Sequence, residues 1–229
     1  MNLSVRLRLR LSSSFSLDVD FTVTPGVTIV FGESGSGKTT LLRSIAGFSR
    51  PEQGRVTIGE RVLYDSASGT NIDPSLRRVG FVFQDLALFP HLSAAQNIEY
   101  GLASLDRNER RRRTAAIASS FDIVDVLGRR PKQISGGERQ RVGLARTLVT
   151  NPDVLLLDEP LSALDRKTQS RIMADLQRWN VEHQIPILYV THSTREAFTL
   201  GDRVLVLDDG AIVADGTPDQ VIGQWAHEH

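Results

Sequence analysis

The chain opens on strict alternation, with Val5, Leu7, Leu9 and Leu11 apolar and Arg6, Arg8 and Arg10 between them. A period of two puts every apolar side chain on one face of a strand, and the segment lacks the continuous apolar core of a secretory leader. Phe15, Leu17, Val19, Phe21 and Val23 repeat the pattern, so a small antiparallel sheet is expected first. Residues 28–31 form a short apolar run that leads into a glycine-rich segment, and residues 40–46 read as a helix that Gly47 ends. Val56-Thr57-Ile58 and Arg61-Val62-Leu63 flank Gly59-Glu60, and the leading glycine predicts a type II′ hairpin.

From about residue 85 to residue 151 the periodicity turns helical, with helices predicted at 94–105, 107–120 and 138–149. After Pro152 strand and helix alternate: a strand at 154–157, a helix at 166–183 and a strand at 187–190. A last hairpin, 203–207 with 211–214 around Asp208-Asp209-Gly210, precedes a short helical end. The expected fold is α/β. Residues 1–84 and 152–229 would form a mainly parallel-sheet core with an N-terminal antiparallel β subdomain, and residues 85–151 an inserted helical subdomain.

Composition changes this picture little. With 229 residues, 40% of them hydrophobic, the chain can bury a large core, and 27 basic residues balance 27 acidic ones. That neutrality leaves no electrostatic footprint for nucleic acid. There is no cysteine, which excludes a disulfide framework and a thiolate metal site and suits the cytosol. No apolar run approaches the roughly 20 residues that span a bilayer, so a membrane role must pass through a partner. Arg110 to Arg113 point in different directions on a helix and Glu109 flanks them, as on a solvated face. His227-Glu228-His229 has no further ligands nearby, so no metal is expected there. Trp179 and Trp225 read as packing residues.

The chemistry begins at Gly32-Glu33-Ser34-Gly35-Ser36-Gly37-Lys38-Thr39, with Thr40 beyond it. Glycines let backbone N–H groups converge on an anion, and the following helix presents its positive end. Lys38 should reach the β- and γ-phosphates of a nucleoside triphosphate, and the Thr39 hydroxyl its Mg²⁺, as in a P-loop NTPase core. The spacing Gly32-x-x-Gly35-x-Gly37 departs from that of a dinucleotide site. Residues 154–157 are apolar on both faces, as in a strand buried between helices, and run directly into Asp158-Glu159. His192 likewise follows the strand at 187–190. If these strands are parallel neighbours, three strand ends bring Lys38, Thr39, Asp158, Glu159 and His192 to one crevice. Asp158 suits Mg²⁺, a hard cation that takes oxygen ligands, and Glu159 is left to orient or deprotonate the attacking water.

Ile134-Ser135-Gly136-Gly137-Glu138-Arg139-Gln140 starts a helix, because Ser135 and Glu138 have capping-box spacing. Capping leaves Gly136-Gly137 unexplained, and their N–H groups at a positive helix end would make a second anion site.

Together these segments resemble the ATPase subunits of ABC transporters over essentially the whole chain. Residues 32–39 look like the family's Walker A and 154–159 its Walker B. Residues 134–140 look like its signature and Ser162-Ala163-Leu164-Asp165 its D-loop. Thr191-His192 matches its switch and Gln84 its Q-loop. The resemblance implies a head-to-tail homodimer sandwiching two ATP molecules, with Ser135 and Gly137 of one copy on the γ-phosphate held by the other. It also implies that His192 contacts that phosphate, that Gln84 senses Mg²⁺ and the water, and that Asp165 links the two sites.

Closer similarity, carried by Asp73-Pro74-Ser75-Leu76-Arg77-Arg78-Val79-Gly80-Phe81-Val82-Phe83-Gln84 and Leu88-Phe89-Pro90-His91-Leu92, is to ATPases that drive oxyanion uptake. Molybdate leads, with sulfate, iron and sugar importers sharing much of the pattern. The implied partners are a transmembrane permease, docked on residues 86–92, and indirectly a substrate-binding protein, with the ATPase on the inner face of the cell membrane. Leu88, Phe89 and Leu92 serve equally well as lobe core. Several positions depart from the family pattern. Ile134 and Glu138 replace leucine and glutamine, Ser193 stands where aspartate is common, and Phe15 is the available substitute for the aromatic residue that stacks on adenine. A β-rich regulatory domain, frequent in such importers, is not expected within these residues.

Overall fold

A computed structural model describes residues 1–12 and 15–228, with the side chains of 224–228 left aside. The chain divides into two compact units. The first comprises Met1–Phe81, Asp153–Glu159 and Gln184–His229, the second Val82–Pro152 and Pro160–His183.

In the first unit the alternating segments form β1 (Leu3–Arg10) and β2 (Ser16–Val23), paired antiparallel from Leu3↔Val23 to Arg10↔Ser16. Their apolar faces are buried, while Arg6 and Arg8 meet Asp20 and Asp18 on the solvent side. Such exposed pairs stabilise little individually. β3 (Gly26–Phe31) leads through the glycine-rich loop into α1 (Lys38–Ala46). Gly47 ends α1 in the left-handed conformation. β4 (Gln53–Ile58) and β5 (Arg61–Asp65) make the predicted two-residue hairpin, with positive φ at Gly59 and not at Glu60, as a type II′ turn requires. β6 (Thr70–Asn71) and β7 (Val79–Val82) follow.

The second unit holds α2 (Ala94–Glu99), α3 (Arg107–Ser120), α4 (Gly136–Leu148) and, beyond the return of the chain to the sheet as β8 (Val154–Asp158), α5 (Arg166–His183). α4 contacts α2, α3 and α5. The helix predicted over 94–105 is shorter than expected: it passes into a 3₁₀ turn at Tyr100–Leu102. Gly101 lies so close to Thr150 that a Cβ would stand 2.6 Å from its methyl group, so tertiary contact overrides helical periodicity there. No helix among the described residues is long and apolar enough to cross a membrane.

β9 (Pro186–Val190), α6 (Thr194–Leu200), β10 (Arg203–Asp208), β11 (Ala211–Gly216) and α7 (Pro218–Glu228) complete the first unit. The last hairpin turns on two residues, Asp209-Gly210, both with positive φ, one residue tighter than the sequence suggested. All strands join one sheet, ordered β6-β5-β4-β1-β2-β11-β10-β3-β9-β8-β7. The antiparallel part is continuous with the parallel part, through a parallel contact of Ala211 in β11 with Asp18 in β2. β3, β9 and β8 are parallel neighbours, with Ile187 of β9 facing both Val27 and Leu155. Their side chains are almost wholly buried, as continuous apolar strands covered on both faces must be.

Candidate functional site

The first unit brings together five of the residues singled out by sequence, each at the carboxyl end of a parallel strand. The loop after β3 folds back on itself through Lys38, whose Nζ donates to the carbonyls of Gly32 at 2.8 Å and Glu33 at 2.6 Å. Ser36 Oγ lies 3.5 Å from the same ammonium. Lys38 is buried, and desolvation lowers its pKa against the opposing pull of Glu159, Asp158 and Glu33. A buried cation whose close partners are neutral carbonyls and a hydroxyl is the arrangement an incoming polyanion would relieve.

The loop glycines have specific reasons. A Cβ on Gly32 would stand 2.1 Å from the carbonyl oxygen of Leu207, so β10 excludes every other residue there. Gly37 has φ 105°, and a Cβ would meet the rings and methyls of Phe15 and Leu17 at 3.2 and 3.3 Å. The edge of the Phe15 ring therefore lies against the glycine-rich loop at Gly37.

Thr39 Oγ1 donates to Asp158 Oδ1 at 3.1 Å. Burial raises the Asp158 carboxyl pKa, the Thr39 hydrogen bond opposes that, and the neighbouring Glu159 adds to it. These two oxygens, one of them on a desolvated carboxylate, suit a hard divalent cation. Thr40 follows in α1, where its carbonyl accepts from Ser44 Oγ.

Glu159 sits just past β8 with φ 44°. A left-handed backbone costs a non-glycine residue on the order of 1–2 kcal/mol, and such strain clusters at functional sites. The turn is held by the Glu159 N–H on the Val190 carbonyl at 3.1 Å, which ties the ends of β8 and β9 together. Glu159 Oε2 is 3.2 Å from His192 Nδ1, and the imidazole is well exposed.

The second unit carries the remaining residues. Ser135 caps α4: its Oγ accepts the Glu138 N–H, and Glu138 Oε2 accepts the Ser135 N–H at 2.6 Å. Neither Gly136 nor Gly137 has positive φ, so backbone freedom does not explain them. Gly137 is required sterically, because a Cβ would lie 2.5 Å from the Thr168 methyl. Gly136 leaves room beside Leu164 at 3.5 Å. At this helix start the Glu138 N–H is taken by Ser135 Oγ, and the positive end of the helix dipole lies at Gly136 and Gly137.

Asp165 caps α5. It accepts from the Lys167 and Thr168 N–H groups and from Thr168 Oγ1 at 2.7 Å, and these bonds lower its pKa. Thr168, which sequence reasoning missed, joins the D-loop to the signature helix. Its signal was the Asp165-x-x-Thr168 cap spacing. Gln84 is exposed. Downstream, Arg146 donates to the carbonyls of Leu86 and Ala87, and Asn97 brackets Phe89 by accepting its N–H at 2.9 Å and donating to its carbonyl at 3.2 Å. Leu88, Phe89 and Leu92 are half-buried, and the Phe89 ring lies 4.4 Å from the exposed Tyr100.

Of the run Arg110 to Arg113, Arg112 and Arg113 are held by Glu109 at 2.7 Å. Trp179 is buried and stacks on His183. Trp225 and the His227-Glu228-His229 cluster lie outside the described side chains. No metal-ligating cluster occurs among the described residues.

The sequence profile of the family described as ABC transporter matches residues 17–162, from β2 through Walker B to the start of the D-loop. The chain belongs to the ABC transporter family. Among its relatives, the molybdenum import ATP-binding protein ModC of Paramagnetospirillum magneticum is 41% identical over 96% of this chain and 61% of its own length. ModC 1 of Azotobacter vinelandii is 43% identical over 96% of this chain and 62% of its own. The chain spans about three fifths of the length of these curated relatives. The fold matches a bacterial ABC transporter cassette, MJ0796, solved as a dimer, with TM-score 0.80 and 29% identity over 94% of this chain and 98% of that one. The same cassette, in a post-hydrolysis state bound to ADP and phosphate, matches equally.

Proposed function

We propose that this chain is the ATP-hydrolysing subunit of an importer, with molybdate or a related oxyanion as cargo. The observation that carries the reading is the convergence of Lys38, the Thr39–Asp158 pair and the Glu159–His192 pair at the ends of three adjacent parallel strands. The names of the relatives support the cargo, and the dimeric cassette supports the assembly.

In this reading the N–H groups of residues 32–40 and the Lys38 ammonium receive the phosphates, Ser34 and Ser36 completing the loop. The Phe15 ring beside Gly37 offers a surface for adenine. Thr39 and Asp158 would hold Mg²⁺, which when bound neutralises phosphate charge. Glu159 accepts a proton from water as the water oxygen bonds to the γ-phosphorus and the bond to the β-phosphate oxygen breaks, giving ADP and phosphate. His192 holds the Glu159 carboxylate and contacts the γ-phosphate. A second copy presents Ser135, Gly136 and Gly137 to the same phosphate, and Asp165 joins the two sites, so that ATP closes a homodimer. The Asn97-bracketed loop around Phe89, beside the exposed Tyr100, receives a transmembrane permease served by a substrate-binding protein. The chain works at the inner face of the membrane.

Replacing Glu159 tests the chemistry. Glu159→Gln is expected to keep ATP affinity while turnover falls about 100-fold or more. Undiminished phosphate release would overturn the assignment. In the assembled transporter, uptake of molybdate in preference to sulfate is the expected result for the cargo.

A further inference from the structure

The hydrogen bonds around His192 close on a buried acid that the reading above does not use. Glu196, in the first turn of α6, is 3% exposed. Its Oε2 accepts from Tyr189 Oη and from Thr191 Oγ1, each at 2.8 Å. With its proton directed to the carboxylate, Thr191 Oγ1 accepts the Ser193 N–H at 3.0 Å, and Ser193 Oγ accepts the Glu196 N–H at 3.3 Å. Both neighbours of His192 are thereby tied to Glu196, and the imidazole stands at the apex of the turn with Nδ1 3.2 Å from Glu159.

Helix capping does not explain this arrangement. Ser135 and Glu138 have the same Ser-x-x-Glu spacing, and there the carboxylate returns to the N–H of the cap residue. At α6 the Ser193 N–H goes to Thr191 instead, and Glu196 turns inward beneath β9. Its burial beside Tyr189 is felt by that phenol, whose pKa is raised well above the usual value by desolvation and then by Glu196. A buried carboxylate is costly unless its acceptors are used, and here the bonds from Tyr189 and Thr191 serve residues at or before the switch.

We propose that Glu196 is a positioning residue for ATP hydrolysis, acting through Thr191 and Tyr189 to set the His192 turn so that the imidazole stays on the Glu159 carboxylate. This rests on the roles given to His192 and Glu159 above. The test is a double-mutant cycle on kcat and KM for ATP, using Glu196→Gln, His192→Ala and the pair, with circular dichroism on each variant. Glu196→Gln is expected to lower kcat about tenfold with KM within about twofold, and to cost nothing further in the His192→Ala background. Thr191→Val should reproduce the loss and Thr191→Ser should restore the wild-type rate, which decides the matter if Glu196→Gln does not fold. A folded Glu196→Gln with full kcat, or a loss that multiplies with that of His192→Ala, overturns the proposal and leaves the role of His192 standing. If His192→Ala alone keeps full kcat, the reading of His192 fails, and this inference with it.

Discussion

Gly137 illustrates how a single position can be constrained by a neighbour far along the chain. Its φ is ordinary, yet a Cβ would sit 2.5 Å from the Thr168 methyl, and Thr168 cannot turn away without losing its 2.7 Å bond to Asp165. Gly137→Ala is expected to destabilise the protein by about 1–3 kcal/mol, the usual range for overpacking. Adding Thr168→Ser, which removes the methyl and keeps the hydroxyl, should recover much of that loss in a urea titration. An equally destabilised double variant would contradict the steric account. At Glu109, hydrogen bonds from Arg112 and then Arg113 hold the carboxyl pKa down from 4.5 to about 2. A depressed acid contributes stability that is full above its unfolded pKa and lost as pH falls through the folded one. The Glu109 carboxyl carbon, followed by NMR, should therefore titrate near pH 2, and Arg112→Ala should move that midpoint upward. A midpoint near 4.5 in the intact protein would refute the pairing.

Among the elements, α1 shows how a helix proposed to receive phosphate at one end is secured at the other. Arg77 is fully buried, and its guanidinium donates to the carbonyls of Ile45 at 2.7 Å and Ser44 at 3.4 Å, to Ile72 at 2.9 Å and to Asn71 Oδ1 at 2.8 Å. A cation on the last carbonyls of a helix satisfies orphan acceptors and complements the helix dipole. Arg77→Met keeps the length and removes every donor, and is expected to cost on the order of 3 kcal/mol in chemical denaturation. A change within about 0.5 kcal/mol would mean that the carbonyls find other partners. Arg77 also marks the limit of sequence reading. It was read only as part of a longer resemblance, because its importance depends on burial against α1, more than thirty residues earlier. Strands with period-two or fully apolar patterns were legible to within a residue or two, and so were α3, α4 and α5, whereas the Ser193-capped α6 was not expected. The end of α2 was not, since it depends on Gly101 meeting Thr150.

For the molecule as a whole, the strand ends that carry the candidate site residues were legible because each motif abuts an apolar run, and parallel order follows from alternation of strand and helix. The continuity of the sheet was not legible, because the join of β2 to β11 pairs residues almost two hundred positions apart. Nor was the inward turn of Glu196, whose spacing matches that of the outward-facing Glu138. The two compact units divide the site residues between them: the phosphate loop, Asp158, Glu159 and His192 fall in one, and Gln84, Ser135, Gly137 and Asp165 in the other. If, as proposed, the phosphate loop is half of a composite site completed by a second copy, ATP is a dimerising ligand once hydrolysis is blocked. The direct measurement is the solution mass of Glu159→Gln by light scattering in ATP and Mg²⁺ and again in ADP. The account predicts twice the chain mass of 25.3 kDa with ATP and the single-chain mass with ADP. A monomer in both nucleotides, with ATP demonstrably bound, would contradict it.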